Sequence, residues 1–227
     1  MGFIDTRFTR FWLPVTLLAL LAGCATTPEP ETEPAAGEES GEAAAPSALP
    51  EGPVTPNPYE QMEVRVSDQA QAEFDRALEA MRNEQWEQAE QRLRGMTEQY
   101  PTLSGPWVNL GKVYAETERP EEAVTALEKA LALNPNNLDA YNQLGLLKRE
   151  AGAFDEAEAH YRQALEVWPF HARTHLNLGV LLDLYLGRGK EALLHYRAYQ
   201  QRQEEMDRQV AGWIVDLERQ LAAEGGQ

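Results

Sequence analysis

Apolar positions change their spacing three times along the chain. From Phe11 to Leu21 they form a run interrupted by Pro14, and from Ala25 to Val66 they scatter without period among Pro, Ala, Glu and Gly. From Ser67 onward they fall at helical spacing. In that third region Pro101, Pro135 and Pro169 are 34 residues apart, as are Ala89, Ala123 and Ala157. A unit of that length, closed by proline, predicts a helix-turn-helix solenoid. Past Tyr199 the closing proline is missing, while Val210, Trp213, Ile214, Leu217 and Leu221 make one helical stripe. The end of a solenoid exposes an apolar face, so this stripe predicts a capping helix, with a partner-binding surface as the alternative. The pattern leaves open whether the chain kinks near Asp207. It divides the chain into 1–23, 24–66, 67–204 and 205–227.

The segment "WVNLGKVYAETERPEEAVTALEKALALNP" carries Trp107, Leu110, Gly111, Tyr114, Ala123, Leu127, Ala130 and Pro135. It resembles the tetratricopeptide pattern, with Leu127 where that pattern usually has Phe. The next unit keeps Tyr141, Leu144, Gly145, Ala157, Tyr161, Ala164 and Pro169, with Lys148 in place of a tyrosine. In the following one Leu178 and Gly179 are in register, while Ala192 and Tyr196 arrive one residue late, an insertion near Gly187-Arg188-Gly189. Upstream, Ala89 and Pro101 mark a unit whose first helix is degenerate. The resemblance implies an all-α fold of about four repeats. Its glycines and alanines read as close helix crossings, where added bulk typically costs about 1–3 kcal/mol, and Trp107, Tyr141 and Tyr161 as filling the gaps between repeats.

The N-terminus has a secretory pattern: Arg7 and Arg10, then the apolar run, then Ala22 and Gly23 before the only cysteine. Leu21-Ala22-Gly23-Cys24 resembles the lipobox of bacterial lipoproteins. The resemblance implies cleavage before Cys24 and a diacylglycerol on its thiol, and Ala25 after it points to the outer membrane, facing the periplasm. Residues 25–66 hold nine Glu against one Arg and too little apolar area to fold, which predicts a disordered tether. As a flexible coil it would reach on the order of 35 Å.

Charge and candidate chemistry narrow the function. With 37 acidic and 20 basic side chains the formal charge is −17, which argues against nucleic-acid binding. One cysteine excludes an internal disulfide framework and a cysteine zinc cage. His171 and His175 lie four apart, as two metal ligands on a helix would, but no third ligand is evident. Gly187-Arg188-Gly189-Lys190 lacks the upstream glycine and the Ser or Thr of a phosphate loop. No catalytic set, cofactor or small-molecule substrate is expected, and exposed glutamates such as Glu121, Glu122 and Glu156 read as solvated faces.

By the same resemblance, the first helix of each repeat lines a concave groove for a peptide or a helix. The groove candidates are Asn109, Lys112, Asn142, Gln143, Arg149, Arg173 and Asn177, with Val108, Leu146, Leu176 and Val180 between them. Asn109, Gln143 and Asn177 share one register, and amides both donate to and accept from a partner's main chain. Lys112, Arg149 and Arg173 are cations suited to an acidic or C-terminal carboxylate partner. Plain solvated helix faces are the alternative. The carboxylate clamp of chaperone adaptors is not reproduced, since Val108 stands at the first clamp lysine. The layout is similar to tetratricopeptide lipoproteins of pilus and secretin assembly, and to those presenting peptidoglycan hydrolases. A periplasmic enzyme or metal carrier on a helical array is the reading from another class.

Overall fold

The computed structural model describes residues 53–61 and 66–224. The signal segment, Cys24 and most of the tether lie outside the described residues. Among these there are nine helices and no strand: α1 (Asp68–Arg82), α2 (Trp86–Gln99), α3 (Ser104–Glu116), α4 (Pro120–Leu133), α5 (Leu138–Glu150), α6 (Phe154–Val167), α7 (Ala172–Leu184), α8 (Gly189–Gln200) and α9 (Arg208–Glu224). Consecutive pairs from α1 to α8 make four antiparallel repeats, each packed on the next, and α9 packs on α8.

Local chemistry sets the helix ends. Ser67 Oγ accepts from Ala70 N at 3.2 Å and Asn137 Oδ1 from Ala140 N at 3.1 Å, capping α1 and α5. Tyr100, Asn134 and Trp168 end α2, α4 and α6 in non-helical conformations, and each precedes a proline. Proline excludes its predecessor from the helical region, so the 34-residue proline period is also the period of repeat ends.

Within a repeat the turn is a left-handed residue. Glu84 (φ 56°), Glu118 (φ 59°) and Gly152 (φ 76°) recur every 34 residues. Around Glu118, Arg119 N donates to Tyr114 O at 2.8 Å and Glu118 N to Ala115 O at 3.1 Å, the paired bonds of a Schellman turn. The fourth repeat is one residue longer: Gly187 (φ 65°) takes the left-handed position, and Arg188 N reaches Leu182 O at 2.8 Å. The insertion read from the sequence is accommodated in this turn.

The two helices of a repeat meet at a glycine. A Cβ on Gly111 would lie 2.6 Å from Leu127 Cγ, and one on Gly179 would lie 2.7 Å from the Tyr196 ring. On Gly145 it would fall inside contact distance of the Tyr161 ring. Tyr161 therefore packs within its own repeat and belongs to the same apolar cluster as Leu178 and Leu181 of the next. Ala89, Ala123, Ala157 and Ala192 are all fully buried at the small positions of the second helices. The apolar interior forms two clusters, one drawn from α1 to α5 and one from α6 to α9.

Two matching sets of ion pairs cross the first and the last repeat interfaces. Arg119 binds Glu90 at 2.6 Å, with Arg94 at 3.1 Å from Glu90 and Glu122 at 3.7 Å from Arg119. Glu158, Arg162, Arg188 and Glu191 form the equivalent set, with distances of 2.5 to 2.8 Å. Burial alone would push the Glu158 carboxyl up. Hydrogen bonds from Arg188 and Arg162 outweigh it and hold the carboxyl below its usual range. At the interface between the second and third repeats the corresponding positions are Val124 and Ala153.

The chain breaks after α8. Asp207 Oδ1 accepts from Gln209 N and Val210 N at 3.0 and 3.2 Å to start α9, and its Oδ2 accepts from Tyr199 Oη at 3.0 Å. The kink near Asp207 is thus present. In α9 Val210 and Leu217 are buried, and Trp213 lies 5.4 Å, ring to ring, from Tyr196. The stripe is spent on capping the array.

Gly145→Ala is expected to destabilise by about 1–3 kcal/mol, because the fully buried Tyr161 ring would have to shift to admit the methyl group. Glu118→Gly is expected to stabilise by about 0.5–1 kcal/mol, by relieving a left-handed β-carbon. Urea unfolding of each variant checks both signs.

Candidate partner-binding groove

The first helices α3, α5 and α7 line the concave side with a layer of polar side chains, most of them satisfied within the array. Asn109 Nδ2 donates to Gly105 O at 2.9 Å. Asn142 Nδ2 donates to Leu138 O at 3.0 Å and to Thr174 Oγ1 at 2.6 Å, and Asn142 Oδ1 accepts from Asn177 Nδ2 at 3.1 Å. Asn142 is 2% exposed, so it ties α5 to α7 and does not face a partner. The shared register of Asn109, Gln143 and Asn177 does not make one open row. Asn109 lines a cleft, Asn177 is tied to Asn142, and Gln143 lines a second cleft, because a solenoid's twist turns equal positions to different depths.

The first cleft, about 450 Å³, lies among Phe74, Val108, Asn109, Lys112, Asp139 and His171. The second, about 500 Å³, lies among Trp86, Lys112, Gln143, Leu146 and Glu150. Lys112 borders both. Asp139 stands between two of the expected cations, 3.5 Å from Lys112 Nζ and 3.9 Å from Arg173. Arg173 remains 60% exposed, and a pair so long and wet is weak enough to exchange for another carboxylate. The Arg149 guanidinium lies 5.9 Å over the Tyr185 ring. Sequence reasoning passed over Phe74 and Asp139. Counting back 34 residues from Val108 reaches Phe74, and Asp139 shares the register of Arg173.

Part of the segment assigned to the tether also lies here. Trp168 Nε1 donates to Thr55 O at 2.9 Å, and Asn57 and Tyr59 border the first cleft. Residues 53–61 are thus placed against the array, not free of it.

The two histidines spaced as ligands face different groups. His171 Nδ1 is 2.7 Å from Thr174 Oγ1. His175 turns inward, its Nε2 2.8 Å from Pro169 O and its Nδ1 2.9 Å from His195 Nδ1. A carbonyl can only accept, so His175 carries its proton on Nε2 and its Nδ1 accepts from His195 Nδ1–H. Both rings are buried and neutral. Burial lowers His175 to about 4, partly opposed by the Pro169 carbonyl and reinforced by Arg202 and His171. It lowers His195 to about 3, with His175, Arg162 and Arg188 adding to the effect. No group of three or more His, Cys, Asp or Glu among the described residues is arranged to hold a metal.

Helix pairs meeting at glycine, ended by proline and lined by such a groove, define a tetratricopeptide solenoid. Residues 111–148 match the family model of the TPR repeat and residues 136–205 that of the tetratricopeptide repeat; the chain carries these repeats. It is 34% identical over 93 residues to an uncharacterized protein, y4yS, of Sinorhizobium fredii, covering 41% of this chain and 51% of that one. It is 28% identical over 95 residues to human tetratricopeptide repeat protein 7B, covering 42% of this chain and 11% of that one. The chain thus spans about half the length of the first and about a tenth of the second. Among solved structures, the fold is similar to pilF of Pseudomonas aeruginosa, at 23% identity and TM-score 0.62, covering 69% of this chain and 71% of that one. It is also similar to a thermophilic TPR protein of Thermus thermophilus, at 23% identity and TM-score 0.58, covering 65% and 80%.

The buried histidine pair predicts acid sensitivity. An unfolded histidine titrates near 6.5, whereas these two stay neutral in the fold until pH about 4 and about 3. Their contribution is complete above pH about 6.5. Each histidine then loses about 1.4 kcal/mol per pH unit as the pH falls toward its folded value. The melting temperature is expected to fall between pH 6.5 and 4, with a shallower slope in His195→Asn.

Proposed function

We propose that this chain is a membrane-anchored periplasmic scaffold that captures segments of other proteins in its concave groove. The observation that carries the reading is the pair of clefts joined at Lys112, which run along successive first helices, with Asp139 lining the first and loosely paired to the exposed Arg173 beside it. Tetratricopeptide arrays are scaffolds for protein–protein contacts, and their groove binds without chemistry of its own. In this reading Cys24 carries the lipid and holds the array at the outer membrane. A tethered array then meets membrane-associated partners at high effective concentration, so modest intrinsic affinity suffices. We assign it to pilus or secretin assembly, which its lipobox-plus-array layout resembles.

Replacing Gln143 by a photo-crosslinking amino acid in living cells is expected to trap an envelope-assembly protein. The adduct should weaken about ten-fold or more when Lys112 and Arg173 are both changed to Ala, as expected for losing a charged contact worth about 1.5–3 kcal/mol. Helical circular dichroism should stay unchanged. Adducts formed only from a crosslinker at Val215 on α9 would move the binding surface to the C-terminal helix.

For the anchor, Cys24→Ala is expected to abolish palmitate labelling and to shift the protein out of the outer-membrane fraction. A wild-type protein that is unlabelled and cleaved at another bond would end the lipoprotein reading.

A further inference from the structure

The described part of the N-terminal segment meets the array at three points. Thr55 offers its carbonyl to the Trp168 indole at the end of the third repeat. Asn57 borders the first cleft beside Lys112, Asp139 and His171. Tyr59 borders that cleft and a neighbouring one of about 240 Å³ that includes Phe74, Met96, Pro106 and Leu133. The groove therefore takes a main-chain acceptor, a polar side chain and an aromatic ring, in that order along the segment.

The segment is shaped before it docks. Pro53, Pro56 and Pro58 each fix a backbone angle, which lowers the entropy lost on ordering. Asn57 Oδ1 accepts from Tyr59 N at 3.0 Å, and Asn57 O accepts from Glu60 N at 3.0 Å and from Gln61 N at 3.2 Å, closing a turn. Asn57 and Pro58, at the bend, are half-buried in a segment whose other described residues are exposed. Tyr59 is only nine positions from Asp68, the first residue of α1. So short a connection sets an effective concentration on the order of millimolar, which a segment in trans must exceed.

We propose that Thr55–Tyr59 is an intramolecular ligand of the groove, and that the external partner presents the same chemistry and displaces it. That chemistry is a proline-flanked segment that turns at a polar residue two positions before an aromatic one. This rests on the groove reading above and adds to it a competitor and a ligand class. The occluded fraction of the groove lowers the partner's apparent affinity in proportion, so an array with nine-tenths of its grooves filled binds about ten-fold more weakly.

The test uses the full chain, purified in detergent and labelled with nitrogen-15, beside an Asn57→Gly/Pro58→Gly/Tyr59→Gly variant in the same full chain. The Trp168 indole N–H resonance, assigned with Trp168→Phe, is expected to shift in the triple variant while helical circular dichroism is unchanged. A fluorescein-labelled peptide of residues 53–61, followed by anisotropy, is expected to bind the triple variant at least ten-fold more tightly than the wild type. Phe74→Ala in the triple variant should weaken it again. An indole resonance identical in both chains, equal peptide affinity for both, or no peptide binding to the triple variant would each overturn the proposal. The Gln143 crosslink keeps the two readings apart. If it is retained while the indole resonance is inert, the groove survives as a partner site without an internal ligand; if both fail, the groove reading falls too.

Discussion

At Gly111, Gly145 and Gly179 two helices approach so closely that a single methyl group would collide with the residue opposite. The opposing residue is Leu127 in one repeat and a tyrosine ring in the next two. That close approach requires a tight turn after each first helix, supplied by the left-handed residue, and a clean stop after each second helix, supplied by the proline. With the pair geometry set, each repeat presents its first helix inward, and the concave surface follows. Each repeat packs mostly within its own helix pair and then on its immediate neighbours, so the surface is built locally, repeat by repeat.

Much of this was legible in the sequence. The proline period, the three glycines and the late arrival of Ala192 and Tyr196 each have a local physical cause that recurs at fixed spacing. The terminal stripe was legible for the same reason, since an uncapped array has an apolar end. Other features depend on contacts that spacing does not encode. A recurring amide gives a register but not a depth, so Asn142 reads as a surface group although Thr174, Leu138 and Asn177 enclose it. His175 pairs with His195, twenty positions away and on another helix, instead of with its near neighbour His171. Composition averaged over 25–66 describes a tether and conceals Pro56-Asn57-Pro58-Tyr59, whose turn chemistry is specific only when read residue by residue.

The concave side itself combines fixed and exchangeable chemistry. The amide layer around Asn142 and Thr174 is enclosed and holds α5 against α7. Asp139, Lys112 and Arg173 are half-exposed to exposed and loosely paired. Fixed hydrogen bonds below and loosely paired charges above are the combination that the proposed reversible capture would require.

The ion pairs follow a longer rhythm than the packing. Glu90 and Glu158 are 68 positions apart, twice the 34 that separate Ala89 from Ala123, and the interface between them carries Val124 and Ala153 instead. This set of ion pairs therefore recurs once per doublet of repeats. Excising the second repeat alone would set Glu90 against Ala153 and leave it only Arg94, and excising the third alone would set Arg188 against Val124 and leave it only Glu191. Removing the second and third repeats together would instead set Glu90 against Arg188, so a change of two repeats keeps the pairing that a change of one breaks.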